Sequence, residues 1–370
     1  MTHVFVTGAT GVVGSALVPL FLSRPDVSLT LLMRRKGRAG LDERLGELAR
    51  YWGMPENDAS LRRISMAEGD TALPRFGLSE DRFRQLGKSV THLVHCAGAV
   101  KMTLPIEEAR AHAVIPALAT LELAELCRAS GQLRKVEVVS TVGVAGCTPG
   151  LISERAMPEV KAFHNTYEEA KAEAERVLFE RWEDLPITIH RPSMVVGTST
   201  AGRIIQFQVF YHLCEFLSGK RTAGVMPRLE GATLDIVPVD YVANCIFWSA
   251  FNENAAHRIL HLSSGPELAV RLPDLVNRIR SRLKREDTAL PPLRFLPLPV
   301  FRSVVPVMRL FVPAAVSRAL GHLELFLAYL REQQSFASTQ TQALVGSAGI
   351  SLPQPAQYLD SVLDYYESSR

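Results

Sequence analysis

The chain has 370 residues, 47% hydrophobic and 21% charged, and its 41 basic side chains against 38 acidic ones leave a formal net charge of +3. Such a length and composition suit one large or two intertwined globular domains with a sizeable core. A charge this balanced argues against a general nucleic-acid surface, so any anion site must be local.

Residues 4–22 are almost uncharged and nearly long enough to span a bilayer. No basic segment precedes them, and glycines and threonines punctuate the run. A strand, a glycine turn and a helix explain it better than a signal peptide or a membrane span. The pattern predicts strands over 3–7 and 28–33, with a helix over 15–23 between them and another over 42–51. Residues 70–87 read as mixed loop and helix. Strands follow over 91–95 and 135–140, separated by a helix over 107–129 with Val114, Leu118, Leu121 and Leu126 at helical spacing. A helix over 168–179 leads to a strand over 187–190, and strands over 234–239 and 259–263 flank a helix over 241–251. Short apolar strands alternating with helices imply an α/β, doubly wound parallel sheet, a Rossmann fold. The expected dinucleotide-binding domain is 1–196, completed by 234–263; residues 197–233 and 264–370 would form a smaller, mainly helical substrate domain.

The first strand runs into Thr7-Gly8-Ala9-Thr10-Gly11-Val12-Val13-Gly14. Glycines there let the backbone turn tightly and approach a pyrophosphate, and the following helix aims its N-terminal dipole at the phosphates. The glycine spacing alone is weak; its place between a strand and a helix gives it weight. The second strand ends in Arg34-Arg35-Lys36, with no acid to hold ribose hydroxyls. An arginine fork binds a 2′-phosphate bidentately, so NADPH (NADP+) is favoured over NADH.

Tyr167 and Lys171 stand four residues apart, on one face of a helix. An ammonium there is expected to lower the phenol pKa, and the tyrosine can then exchange a proton with a carbonyl oxygen. Ser140-Thr141, 26 residues before the tyrosine, offers a hydroxyl to the same oxygen. No GxSxG elbow or HExxH helix competes. The five cysteines (Cys96, Cys127, Cys147, Cys214, Cys245) form no CxxC pair and stand near no histidine cluster, so they read as free thiols in a reducing cytoplasm, with no metal expected. His95 and His190 read as packed strand ends.

With these motifs in place, the chain over about residues 3–265 resembles the extended short-chain dehydrogenase/reductase superfamily. The segments Gly69-Asp70, Gly77-Leu78-Ser79-Glu80, residues 92–100, Pro105-Ile106-Glu107-Glu108, Arg191-Pro192-Ser193 and residues 234–243 look like its thioester reductase and fatty acyl-CoA reductase branch. The resemblance implies NADPH-dependent reduction of a CoA- or carrier-bound acyl thioester to an aldehyde, or onward to an alcohol. By position it implies Thr141, Tyr167 and Lys171 as the catalytic residues. It implies Gly8, Thr10, Gly11, Val12, Val13 and Gly14 as the phosphate loop, and Arg34, with Arg35 and Arg44, at the 2′-phosphate. Asp70 would lie near the adenine, Ala97, Gly98 and Ala99 along the cofactor, and Pro192 and Ser193 beside the nicotinamide.

One departure stands out: Ala113-Val114 occupies the place of the branch's Asn-Val step, which weakens a proton relay from that helix. The sequence shows no adenylation or carrier domain, so the thioester is expected on CoA or a separate protein. Hydroxysteroid-type or other alcohol dehydrogenases and nucleotide-sugar epimerases share the motif set; a non-catalytic NADP-binding protein need not keep all three residues. Residues 291–329 are apolar, with Arg294, Arg302, Arg309 and Arg318 interspersed. A pocket-capping role is favoured there over peripheral membrane contact, because Pro297, Pro299, Pro306 and Pro313 should break a long interfacial helix.

Overall fold

A computed structural model describes residues 1–35, 37, 39–157, 159–228, 231–282, 290–310 and 334–369. Its central sheet has seven strands: β1 (Thr2–Thr7), β2 (Val27–Met33), β3 (Ile64–Glu68), β4 (His92–His95), β5 (Lys135–Val139), β6 (Ile187–Pro192) and β7 (Arg258–Leu262). They lie in the order β7-β6-β5-β4-β1-β2-β3, and every pair is parallel. The order reverses at β1, which pairs with β2 on one side and β4 on the other, opening a crevice at the carboxyl ends of β1 and β4. β1 and β2 are largely apolar because helices cover both faces, and β5 adds three valines beside the buried Lys135 and Glu137.

Among the described residues the α-helices of eight residues or more are α1 (Val12–Leu22), α2 (Leu41–Trp52), α3 (Glu80–Gly87), α4 (Ile106–Ala129), α5 (Thr166–Phe179), α6 (Val209–Leu217), α7 (Val239–Ala250), α8 (Leu272–Arg282), α9 (Leu298–Leu310), α10 (Thr339–Gly346) and α11 (Pro355–Ser368). Leu17 and Phe21 of α1 and Ile246 of α7 pack on Leu29, Leu31 and Leu260 of the sheet. On the other face Leu123 of α4 and Leu178 of α5 pack on Phe5, Val136 and Ile189. A third core joins Phe210 and Leu213 of α6, Ile279 of α8 and Tyr358 and Leu363 of α11. The doubly wound parallel sheet agrees with the expectation.

Three elements differ from it. The edge strand β3 was not foreseen: its burial is broken by the exposed Ser65 and Glu68, so the sequence carries no apolar run. The strand expected over 234–239 is two strands outside the central sheet. Thr233–Leu234 pairs antiparallel with Val270–Arg271, and Ile236–Pro238 pairs with Met194–Val196. Asp235 breaks the run because its carboxylate turns back to accept the Ser264 and Gly265 N–H groups, at 2.7 and 3.1 Å. Finally, Pro306 lies inside α9 and does not end it, since one missing backbone bond leaves the other turns paired. Residues 311–329, with Pro313 and Arg318, lie outside the described residues. Among the described residues no helix is long and apolar enough to cross a membrane.

Candidate active site

The passage from β1 into the first turn of α1 admits only glycine at two places. Gly8 has φ +77°, and a Cβ on it would lie 2.6 Å from the Ala97 nitrogen. A Cβ on Gly14 would lie 2.2 Å from the Gly8 carbonyl oxygen. Gly11 donates its N–H to that same oxygen at 2.9 Å and caps α1 without a side-chain bond, and no acid stands in the helix's first turn. The N–H groups beginning α1, around Val12 and Val13, are therefore left for an anion, and the chain fits a pyrophosphate there. The Thr7 hydroxyl ties the neighbouring strand end: it bonds His95 Nδ1 at 2.8 Å and accepts the Ala97 N–H at 3.3 Å. Burial, helped by the Lys171 charge, pushes His95 down to about 3 and keeps it neutral, a packed strand end as expected.

At the end of β2, Arg34 forms a 3.4 Å ion pair with Asp70, and Arg44 of α2 donates to the Arg34 carbonyl. Arg34, Arg44 and Asp70 thus stand together. Arg35 turns instead to Glu68 of β3, at 2.9 Å. Lys36 lies outside the described residues. The Arg34 side chain is 63% exposed, so its pairing with Asp70 is weak and leaves the guanidinium available.

Thr141 follows β5, and Tyr167 and Lys171 face it from α5, whose start is fixed by Asn165 accepting the Glu168 N–H at 3.0 Å. Tyr167 and Thr141 share a hydrogen bond, and the Thr141 hydroxyl oxygen also accepts the Gly143 N–H at 3.1 Å. The Lys171 ammonium donates to the Val139 carbonyl at 3.1 Å. Burial brings Lys171 down to about 8, against the opposing pull of Glu175 and Cys96. The expected lowering of the Tyr167 pKa by Lys171 is corrected here. Burial, abetted by the Glu168 charge and opposed by the Thr141 bond, pushes the phenol up to about 12. Spacing put the two side chains on one face but gave no hint of the Val139 carbonyl or of the loss of water. At neutral pH Tyr167 is a phenol with a proton to give.

These residues open on one cavity of about 290 Å³. Gly11, Val12, Val13, Gly98, Thr141, Tyr167, Lys171, Pro192 and Ser193 line one end, and Met102, Val209, Phe210, Leu213, Leu234 and Phe336 line the other. The two alanines beside Gly98, together with Gly8, Thr10, Gly14, Arg34, Arg35, Arg44 and Asp70, lie outside this lining; the glycine loop, Ala97 and Ala99 run along the ends of β1 and β4 beside it. The reading of the sequence missed Glu168, Asp235 and the whole apolar end. An acid beside YxxxK is a signal only once its burial is known.

Behind Lys171 lies a buried ionic network. Arg191 is fully buried and forks onto Glu175, its Nε 2.9 Å from Oε1, while Ser140 donates to the same carboxylate. Arg191 also donates to the Arg155 carbonyl at 2.9 Å. His190, as expected of a packed strand end, is buried against Glu137, which Ser249 also reaches at 3.0 Å. Among the described residues no cluster of histidine, cysteine or acidic side chains could hold a metal ion.

A sheet in this order, a glycine loop at its switch point and a tyrosine–lysine pair over the same cavity define an NAD(P)-binding oxidoreductase of the extended short-chain dehydrogenase/reductase type. The chain belongs to the family described as male sterility protein, whose pattern matches residues 6–246. It is 28% identical over 275 residues to a non-reducing polyketide synthase of Emericella nidulans, covering 70% of this chain but 11% of the synthase. The chain therefore spans about a tenth of that relative's length. Its fold matches the terminal R domain from the myxalamid PKS-NRPS pathway with a TM-score of 0.80 and 26% identity, over 100% of this chain and 90% of that one. The UDP-glucuronic acid 4-epimerase of Bacillus cereus shares the fold, with a TM-score of 0.66 and 15% identity, over 100% of both chains.

Proposed function

We propose that the protein uses NADPH to reduce an acyl thioester, presented on CoA or a carrier protein, to the aldehyde. The observation that carries this reading is the single cavity in which Thr141, Tyr167 and Lys171 meet an apolar end lined by Phe210, Leu213 and Phe336. Its similarity to the terminal reductase domain of a polyketide–peptide pathway supports the thioester over a free sugar or steroid. When bound, the cofactor supplies a hydride to the carbonyl carbon. Tyr167 gives its proton to the carbonyl oxygen and Thr141 donates a second hydrogen bond to it. The carbon–sulfur bond then breaks and the thiol leaves. Lys171 would hold the ribose of the bound cofactor, and Ser193 would lie beside its nicotinamide ring. NADPH oxidation against acyl-CoAs, carrier-bound acyl groups, aldehydes, ketosteroids and UDP-sugars tests the reading. Turnover of UDP-sugars without net NADPH loss would make the protein an epimerase.

Arg34, with Arg44 beside it, selects the 2′-phosphate. One charged hydrogen bond to that phosphate contributes on the order of 1.5–3 kcal/mol. Arg34→Ala should weaken NADPH about tenfold or more and leave NADH nearly unchanged, as read by fluorescence titration. Equal affinity of the native protein for both cofactors sinks this claim.

Lys171, held at about 8 by burial, sets a second expectation. Raising the pH through that value removes its charge, and with it the hold on the ribose. The kcat/KM for NADPH, which reports the free protein, should fall on the alkaline side of about pH 8. A profile flat to pH values well above that would dissociate Lys171 from cofactor capture.

A further inference from the structure

Glu168 and Asp235 are the two carboxylates lining the cavity among the described residues. Asp235 is engaged by the backbone of Ser264 and Gly265. Glu168 is not accounted for by the chemistry described so far. Its side chain is 1% exposed and that of His164 is 3% exposed. One Glu168 oxygen, Oε2, takes the His164 backbone N–H at 3.0 Å and lies 2.9 Å from His164 Nδ1. The backbone contact closes the start of α5, which Asn165 also caps.

The other oxygen points toward the reacting groups. A Cβ placed on Gly143 would lie 3.3 Å from Glu168 Oε1 and 3.4 Å from Thr141 Oγ1, so the two oxygens flank one small space. Thr141 in turn is bonded to Tyr167. Phenol and hydroxyl are bonded to one another, carboxylate and imidazole likewise, and the two pairs meet at the Gly143 backbone. Across the molecule, α4 offers only the buried Ala113 as a relay position.

We propose that the His164–Glu168 pair is the acid–base group that returns a proton to Tyr167 through the Thr141 hydroxyl after each hydride transfer. The inference rests on the reductase reading above. In each turnover hydride goes to the carbonyl carbon and the phenol proton to its oxygen. For a thioester, the carbon–sulfur bond breaks and that proton leaves on sulfur; for an aldehyde it stays on the alcohol. Either way Tyr167 is left a phenolate and one solvent proton has been consumed. The pair gives a proton to the Thr141 oxygen as the Thr141 proton moves to the phenolate, and the pair regains its own through the cavity that Glu168 lines. Among the described residues, Lys171 stands beside this path on α5, with the Cys96 thiol after β4 and Glu175, which Arg191 pairs, next to it.

The test uses Glu168→Gln and His164→Asn in the full chain, with octanal and octanoyl-CoA as substrates and NADPH oxidation followed through the first and later turnovers. Because every site starts with a protonated phenol, both variants should give a first turnover slowed less than the rest. Later turnovers should fall by about tenfold or more, with an enlarged solvent deuterium effect and a shifted pH profile. Melting temperature and NADPH affinity establish that each variant is folded, and either variant suffices. Later turnovers within about twofold of native, or first and later turnovers reduced by the same factor, overturn the proposal. A native protein that turns over neither substrate overturns the reductase reading, and this proposal with it.

Discussion

Tyr167→Phe is expected to lower kcat for an aldehyde by about 10²–10⁴-fold, the usual contribution of a positioned acid, with little change in NADPH affinity. The substitution keeps the ring and removes the proton that Tyr167 would transfer to a carbonyl oxygen. The pKa of about 12 sharpens the expectation, because the native side chain is a donor throughout the neutral range. Thr141→Ala should cost less, since Tyr167 still reaches the oxygen. For a thioester the thiol is expelled after hydride transfer, so proton donation weighs less there than in aldehyde reduction. Single-turnover rates for both substrates separate the two cases. Native rates on both would return the tyrosine–lysine pair to a structural role.

The second large effect concerns stability. Arg191→Ala should destabilise the protein by about 3–5 kcal/mol, the usual result of stripping one partner from a buried ion pair. Glu175 would be left at 3% exposure with only the Ser140 hydroxyl among the bonds described above. The loss spreads further, because Arg191 also meets His261 Nε2 at 3.4 Å and the Arg155 carbonyl. Burial, with Arg191 adding to it, pulls His261 down to about 4, so its ring is neutral. Its Nδ1–H donates to the Ala337 carbonyl at 2.8 Å, leaving Nε2 as an acceptor for the guanidinium. Replacing both members of the pair by methionine should recover much of the loss. Denaturant unfolding of the native protein and the two variants measures this, and a loss under about 1 kcal/mol for Arg191→Ala would contradict it.

Much of the dinucleotide half was legible because its signals are local. The strand, glycine loop and helix from Thr2 to Leu22 announce themselves by hydropathy and spacing. Tyr167 and Lys171 do so by a four-residue interval. What escaped reading depends on partners distant in sequence. β3 is an edge strand with mixed burial, and Asp235 interrupts a run that otherwise reads as one strand. Arg191 was visible as a motif residue, but its Glu175 partner was not, because nothing in an exposed-looking Glu-rich helix marks which acid turns inward. The sign of the Tyr167 shift was misread for the same reason: interval is written in the sequence, desolvation is not.

The short strand Gln334–Phe336 pairs with Gly150–Ile152, and the Glu154 carboxylate accepts the N–H groups of Gln340 and Thr341 at the start of α10, at 2.8 and 3.0 Å. Gln334, Ser335 and Phe336 also line the cavity. A ribosome makes these residues long after Thr141, Tyr167 and Lys171. Synthesis proceeds at about 5–20 residues per second and domains begin folding from the N-terminus, so the glycine loop can form while the chain is still being made. For several seconds the nascent protein holds its reactive side chains in a cavity lacking one wall, with the Glu154 charge waiting for its cap. The chamber closes only once Gln334, Ser335 and Phe336 have been made, so its assembly waits on residues synthesised more than 160 positions after Lys171.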